Sequence, residues 1–137
     1  MKPRIGIGSS LMVLAILWTA GGRPAHGQKL FAGSYTQESG EDLYRAICQG
    51  CHMPDGKGAT GAGSYPALAN DVRLRSGLYP IGVVLNGQRA MPPFGADLSD
   101  AQIASVITYV RTHFGNHYRD SVSAAGVKAA RRPAAGP

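Results

Sequence analysis

The chain has 137 residues, with 14 Lys and Arg against 8 Asp and Glu, a formal charge of +6. Residues 1–27 hold Lys2, Arg4 and Arg23 and no acid, and Lys128, Arg131 and Arg132 sit in the last ten residues, so Gln28 to Val127 is neutral. That distribution excludes the basic face within the fold that a nucleic-acid binder needs, and the length allows one domain with no second full-sized one.

At the N-terminus, Lys2 and Arg4 precede the apolar run from Leu11 to Trp18, and the small residues Ala25 and Gly27 stand two apart. This is the layout of an export signal, and cleavage is expected after Gly27. The alternative is an uncleaved anchor. Ile5 to Ala20 is short for a bilayer span, which needs about 20 residues. Membrane association is expected only if this segment is retained. Cleavage lowers the formal charge from +6 to +3 by removing Lys2, Arg4 and Arg23.

Gln28 to Gly40 reads as an irregular lead-in. Glu41 to Cys48 predicts a short helix, with two acids in the first turn where the helix dipole favours them and Leu43, Ile47 and Tyr44 on an apolar side. Met53 to Ser64 is glycine-rich loop. A short helix is expected around Leu68 to Leu74, and another beyond Pro80, stopping at Asn86-Gly87. Arg89 to Asp97 is an extended loop around Met91-Pro92-Pro93-Phe94. Ser99-Asp100-Ala101-Gln102 is a capping box, and Ile103, Val106, Ile107, Val110 and Phe114 follow as one helical stripe closed by Gly115. No stretch shows strand alternation. From Ser121 onward Ala, Gly and Pro with scattered charge predict a disordered basic tail. Its cations would either be merely solvated or steer the protein to an acidic surface.

Cys48-Gln49-Gly50-Cys51-His52 is the attachment pattern for c-type haem. One helical turn sets the two sulfurs against the two vinyl-derived carbons on one porphyrin edge, and the adjacent His52 falls beneath the iron. The disc would also supply the core that about 110 glycine- and proline-rich residues otherwise lack. Two other chemistries compete for the cysteines. A thioredoxin-like disulfide needs a preceding strand and a sheet. A zinc site would join Cys48 and Cys51 to His113 and His117, across 61 intervening residues. Gly56-Lys57-Gly58-Ala59-Thr60-Gly61 matches a dinucleotide fingerprint, which carries meaning only between a strand and a helix; it is read as a flexible loop over the haem edge.

An electron carrier needs a second axial ligand, commonly Met or His. Met91, 39 residues after His52 and followed by two prolines, is the candidate, because a soft neutral thioether favours ferrous iron. Met53 cannot reach the opposite face, and His113 and His117 come late on or after the last helix. The iron ligands are therefore expected to be His52 and Met91.

From about Gly40 to Gly115 the chain resembles the class I cytochrome c family, and most of all the small cytochrome c subunits of bacterial periplasmic dehydrogenases. The resemblance rests on Leu43-Tyr44, Cys48-x-x-Cys51-His52, the glycine-rich loop, Tyr65-Pro66-Ala67-Leu68, Met91-Pro92-Pro93-Phe94 and Tyr109-Val110-Arg111. It implies an all-α fold of three to five short helices around one covalent haem c, with the first and last helices crossing. It also implies that the Pro66 carbonyl accepts a hydrogen bond from the His52 ring. The expected organisation is a signal peptide over 1–27, a cytochrome c domain over 28–120 and the disordered tail over 121–137. The expected function is single-electron transfer in the periplasm, from a dehydrogenase to a respiratory acceptor, with no catalysis and no nucleic acid. A free shuttle to a terminal oxidase, or a haem enzyme such as a peroxidase with an open sixth position, are the alternatives.

Overall fold

The computed structural model describes residues 35–61 and 63–131. The expected signal peptide over 1–27 and its cleavage point lie outside the described residues.

Helix α1 (Gly40–Leu43) is capped by Ser39, whose Oγ accepts from the Asp42 N–H at 3.1 Å. It does not end there. A π-helical stretch, Tyr44–Cys48, and then α2 (Gln49–His52) continue it, so the helix expected over 41–48 runs four residues further. A short antiparallel pair follows, β1 (Ala59–Thr60) with β2 (Ser64–Tyr65), in the register Ala59 to Tyr65 and Thr60 to Ser64. Two residues per strand are too few for alternation to register in the sequence. The helix expected around 68–74 is instead a 3₁₀ turn, Val72–Arg75, capped by Asp71. Burial pushes the Asp71 carboxyl up, but its bonds from the Arg73 guanidinium and N–H outweigh this and leave it below its ordinary range.

Helix α3 (Leu78–Asn86) starts two residues before Pro80, which is tolerated in a first turn because its missing N–H has no partner there anyway. It stops as expected, at Gly87 with φ of 71°. Helix α4 (Asp100–Thr112) carries both bonds of the capping box, Gln102 N–H to Ser99 Oγ at 3.2 Å and Ser99 N–H to Gln102 Oε1 at 2.9 Å. Ile103, Val106, Ile107 and Val110 are buried as the stripe predicts. Phe114 lies beyond the helix end and packs against the core from outside.

The last segment corrects the sequence reading. Residues 121–131 are not a free tail: Ala124–Ala130 forms helix α5, with Ser123 Oγ accepting from the Gly126 N–H. Val127 is wholly buried, and α5 packs on α4 and α3. An Ala- and Gly-rich segment looks disordered because its hydrophobic content is low, yet one buried valine and small neighbours suffice where a surface already exists to receive them.

A polar staple also joins the core. Arg111, buried to 1 % exposure, donates from Nε to the Leu74 carbonyl at 2.8 Å and from Nη2 to the Arg75 carbonyl at 3.0 Å. It reaches the Asp120 carbonyl from Nη1 at 2.7 Å and pairs with the Asp120 carboxylate, which that bond holds below its usual range.

The first and last helices of the core cross as the resemblance implies, and Gly40 is the crossing point. A Cβ there would lie 2.3 Å from the Ser105 carbonyl oxygen and 2.7 Å from Tyr109 Cβ. Gly40→Ala should therefore lower stability by about 1–3 kcal/mol, the usual cost of forcing atoms into a packed site, read as a shifted denaturant midpoint with unchanged slope. An unshifted midpoint would show that α1 can move off α4 freely.

Candidate functional site

Cys48, Cys51 and His52 stand on one continuous helical stretch because the π-helical turn joins α1 to α2. Its wider spacing brings the Gln49 N–H to the Tyr44 carbonyl. This register buries Leu43 and Tyr44 on one side while His52 is itself buried. Cys48 is half-buried and Cys51 exposed, and the two are not bonded to each other. Tyr44 anchors the end of the stretch, its hydroxyl donating to the Met53 carbonyl at 2.7 Å. Burial first, then Cys48 nearby, pushes that phenol well above its ordinary range.

His52 is oriented from the opposite segment. Its Nδ1 lies 2.9 Å from the Pro66 carbonyl oxygen, as the resemblance implies. A carbonyl accepts only, so Nδ1 carries a proton and donates, and Nε2 has no hydrogen bond to any described residue. Gly58 makes the approach possible. Its φ is 66°, and a Cβ would lie 2.2 Å from the Tyr65 carbonyl oxygen and 2.7 Å from the Pro66 carbonyl carbon. The Gly58 N–H also bonds the His52 carbonyl at 3.0 Å.

The Gly56–Gly61 segment thus follows a helix and itself contains β1, the wrong setting for a dinucleotide fingerprint. It is pinned rather than flexible, since the Gly56 carbonyl accepts from the N–H groups of Leu68 and Ala69 at 2.7 and 2.9 Å. The Pro66 segment is tied in turn to the end of α4 by Asn116. Its amide donates to the carbonyls of Leu68 and Val110 and accepts from the Asp71 N–H.

Met91 is presented by a separate loop. Its backbone N–H and carbonyl exchange two 3.0 Å bonds with Gln88, and its side chain packs against the core. Gly87 permits the reversal, because a Cβ there would lie 2.7 Å from the Met91 carbonyl oxygen. The next turn is held by the Phe94 N–H on the Val84 carbonyl at 2.8 Å.

The competing chemistries are not assembled. Among the described residues no group of three or more His, Cys, Asp or Glu side chains could hold a metal ion, so Cys48, Cys51, His113 and His117 do not form a zinc site. His113 is exposed, stacks on Tyr109 with centroids 4.1 Å apart and places Nδ1 on the Tyr109 carbonyl. A reactive Cys-x-x-Cys needs a depressed thiol pKa. Here burial, and next the Cys51 sulfur, push the Cys48 thiol up to about 12. No strand precedes the motif among the described residues. The residues present do fit a covalent haem: two unpaired thiols one turn apart, an imidazole whose Nδ1 is committed to a carbonyl and whose Nε2 is not, and a thioether on a braced loop.

Sequence reasoning passed over Asn116, and it named Gly58, Gly87 and Arg111 without the roles they have here. A lone buried Asn or Arg carries no pattern, whereas the two glycines had a signal in their position beside the Pro66 and Met91 segments.

The family described as cytochrome c oxidase, cbb3-type, subunit III matches residues 36–110, more than half of the chain. The fructose dehydrogenase cytochrome subunit of Gluconobacter japonicus is 40% identical over 108 residues, covering 67% of this chain and 22% of that one. The cytochrome c subunit of the quinone alcohol dehydrogenase of Gluconacetobacter polyoxogenes is 31% identical over 117 residues, covering 76% and 25%. Cytochrome c6 of a Synechococcus strain is 34% identical over 80 residues, covering 52% and 64%. The chain thus spans about a quarter or less of the two dehydrogenase subunits.

Gly58→Ala should disturb the site without touching any haem-bonding residue. The added methyl and the positive φ should cost about 1–3 kcal/mol and speed exchange of the His52 Nδ1 proton with solvent. Parent-like stability and exchange would mean that the Pro66 carbonyl does not depend on Gly58 for its position.

Proposed function

Because the chain belongs to the c-type cytochrome family, and is an electron carrier with covalently bound haem c, we propose that Cys48 and Cys51 form the thioethers and that His52 and Met91 hold the iron. The bound haem supplies a single iron that gains and loses one electron. The chain's own residues set the conditions for that. Pro66 fixes the His52 ring plane and makes the imidazole a better donor through its Nδ1–H bond. The rest of the His52 side chain is buried, which limits the turning of its ring. Met91 offers a soft neutral donor that favours the reduced state, and Gly87, Pro92 and Pro93 hold its backbone so that little need be reordered when the charge changes.

The observation that carries this reading is the His52 Nδ1 to Pro66 carbonyl bond of 2.9 Å. It leaves one nitrogen as a prepared ligand immediately after two unpaired thiols. A dehydrogenase as electron donor is supported by the relatives named as fructose and alcohol dehydrogenase cytochrome subunits. A respiratory acceptor and a periplasmic setting complete the proposal, with no substrate chemistry performed on the haem itself. Among the described residues no helix is long and apolar enough to cross a membrane.

A redox titration of Met91→Ala beside the parent tests the ligand assignment. The variant should keep its haem through acid–acetone extraction, since Cys48 and Cys51 are untouched. It should have a lower midpoint potential and bind imidazole readily in the ferric state. If potential and imidazole binding both match the parent, Met91 is packing and not a ligand. For the donor, catalytic subunits of a periplasmic alcohol or sugar dehydrogenase with substrate should reduce the ferric protein rapidly; no reduction by any of them would favour a free shuttle.

A further inference from the structure

The C-terminal helix ends in a side chain aimed back at the Met91 loop. Arg131 donates from Nε to the Asp100 carboxylate at 2.5 Å, from Nη2 to the Leu98 carbonyl at 3.0 Å, and from Nη1 to the Gly95 carbonyl. All three donor nitrogens are thus used within six residues of chain, more than 30 positions away in sequence. Arginine suits this because its planar fork presents several donors at once in fixed geometry.

The acceptors form the exit of the loop that begins at Met91. Its entry is held by the Gln88–Met91 pair, and its middle by Phe94 on α3. At Gly95 the loop presses on α3 so closely that a Cβ would lie 2.7 Å from the Leu85 carbonyl oxygen. Beyond that point the local backbone bonds run from the N–H groups of Asp97 and Leu98 to the Phe94 carbonyl, both at 3.0 Å. They leave the Gly95 and Leu98 carbonyls to the Arg131 guanidinium. Asp100, at the start of α4, balances a cation that the positive end of that helix would otherwise repel.

From this geometry we infer that Arg131 is a positioning residue for Met91: α5 is a clasp that closes the sixth-ligand loop. The inference rests on the reading of Met91 as an iron ligand. A seven-residue helix is marginal alone in water, so α5 is ordered by Val127 in the core and by this guanidinium at its end. Clasp and loop therefore share one cooperative unit. When the clasp opens, the loop exit gains freedom and Met91 spends more time away from the iron.

The experiment follows imidazole binding to ferric holoprotein, where the rate at saturating imidazole reports how often Met91 leaves. Arg131→Ala should raise that rate about ten-fold or more, since even one of the three charge-assisted hydrogen bonds it removes is worth about that much, and should lower the midpoint potential. Arg131→Lys, with the charge but a single donor centre, should fall between. In a Met91→Ala background, Arg131→Ala should add nothing, because the coupled partner is gone. A parent-like rate and potential in Arg131→Ala, while Met91→Ala binds imidazole freely, overturns the clasp. A lowered unfolding midpoint with an unchanged imidazole rate also overturns it, since that is the signature of a purely structural contact. Parent-like behaviour of Met91→Ala instead refutes the ligand assignment and is told apart by that variant alone. If Arg131→Ala yields too little holoprotein, Asp100→Asn and Arg131→Lys serve in its place, and parent-like rates in both overturn the proposal.

Discussion

The hydrogen bond between His52 Nδ1 and the Pro66 carbonyl couples the helical stretch that carries both cysteines to the segment that returns beneath it. Proline cannot donate from its own nitrogen, so its contribution to this contact is a carbonyl alone. Everything that places that carbonyl serves the imidazole. Gly58 lets the backbone come close, Gly56 accepts from Leu68 and Ala69, and Asn116 fastens the far end of the segment to α4. One imidazole orientation is thereby linked through backbone bonds to the longest helix of the fold.

That helix owes its position to a different constraint. At Gly40 the backbone of α1 lies against the Ser105 carbonyl, so the crossing of α1 and α4 is set by an absent side chain. Tyr44, one turn further on, fills the space beside the crossing, its ring tilted against those of Tyr109 and Phe114 with centroids 5.7 and 4.8 Å apart. Its hydroxyl then bonds the Met53 carbonyl, next to His52. The crossing and the imidazole are two ends of one packed unit, which gives the Leu43-Tyr44 pair its place in the resemblance.

What could be read in the sequence was the part governed by local rules. The cysteine spacing, the capping box at Ser99, the stripe from Ile103 to Val110 and the stop at Asn86-Gly87 each depend on residues within a few positions of one another. The helical class follows from these. The π-helical turn at Tyr44–Cys48 was not legible, because it arises from fitting Leu43 and Tyr44 to α4 and not from any preference of the five residues themselves. The roles of Arg111 and Asn116 were equally illegible, because each is a single polar side chain that reaches a segment 36 to 48 residues away. Helix α5 was hidden by composition, since Ala and Gly around one valine give no stripe, and the surface that receives Val127 exists only after α3 and α4 have packed.

Charge closes the account. The cations of the C-terminal stretch could be read as solvated or as an electrostatic handle, yet two arginines of the folded part are committed to partners within it. Arg111 is spent on the carbonyls of Leu74, Arg75 and Asp120 together with the Asp120 carboxylate. Arg131 faces Asp100, which neutralises it locally. A paired guanidinium contributes little to the field felt by a partner beyond a Debye length, about 8 Å at physiological salt. Of the three cations counted in the C-terminal stretch, Arg131 is therefore held in a part-buried ion pair and does not serve long-range steering as a free charge. Arg45 and Arg73 pair with Glu41 and Asp71, whereas Arg111 and Arg131 work as multidentate donors to backbone carbonyls. This explains why arginine and not lysine occupies both sites: each must satisfy several fixed acceptors at once, which a single ammonium on a flexible stem cannot do.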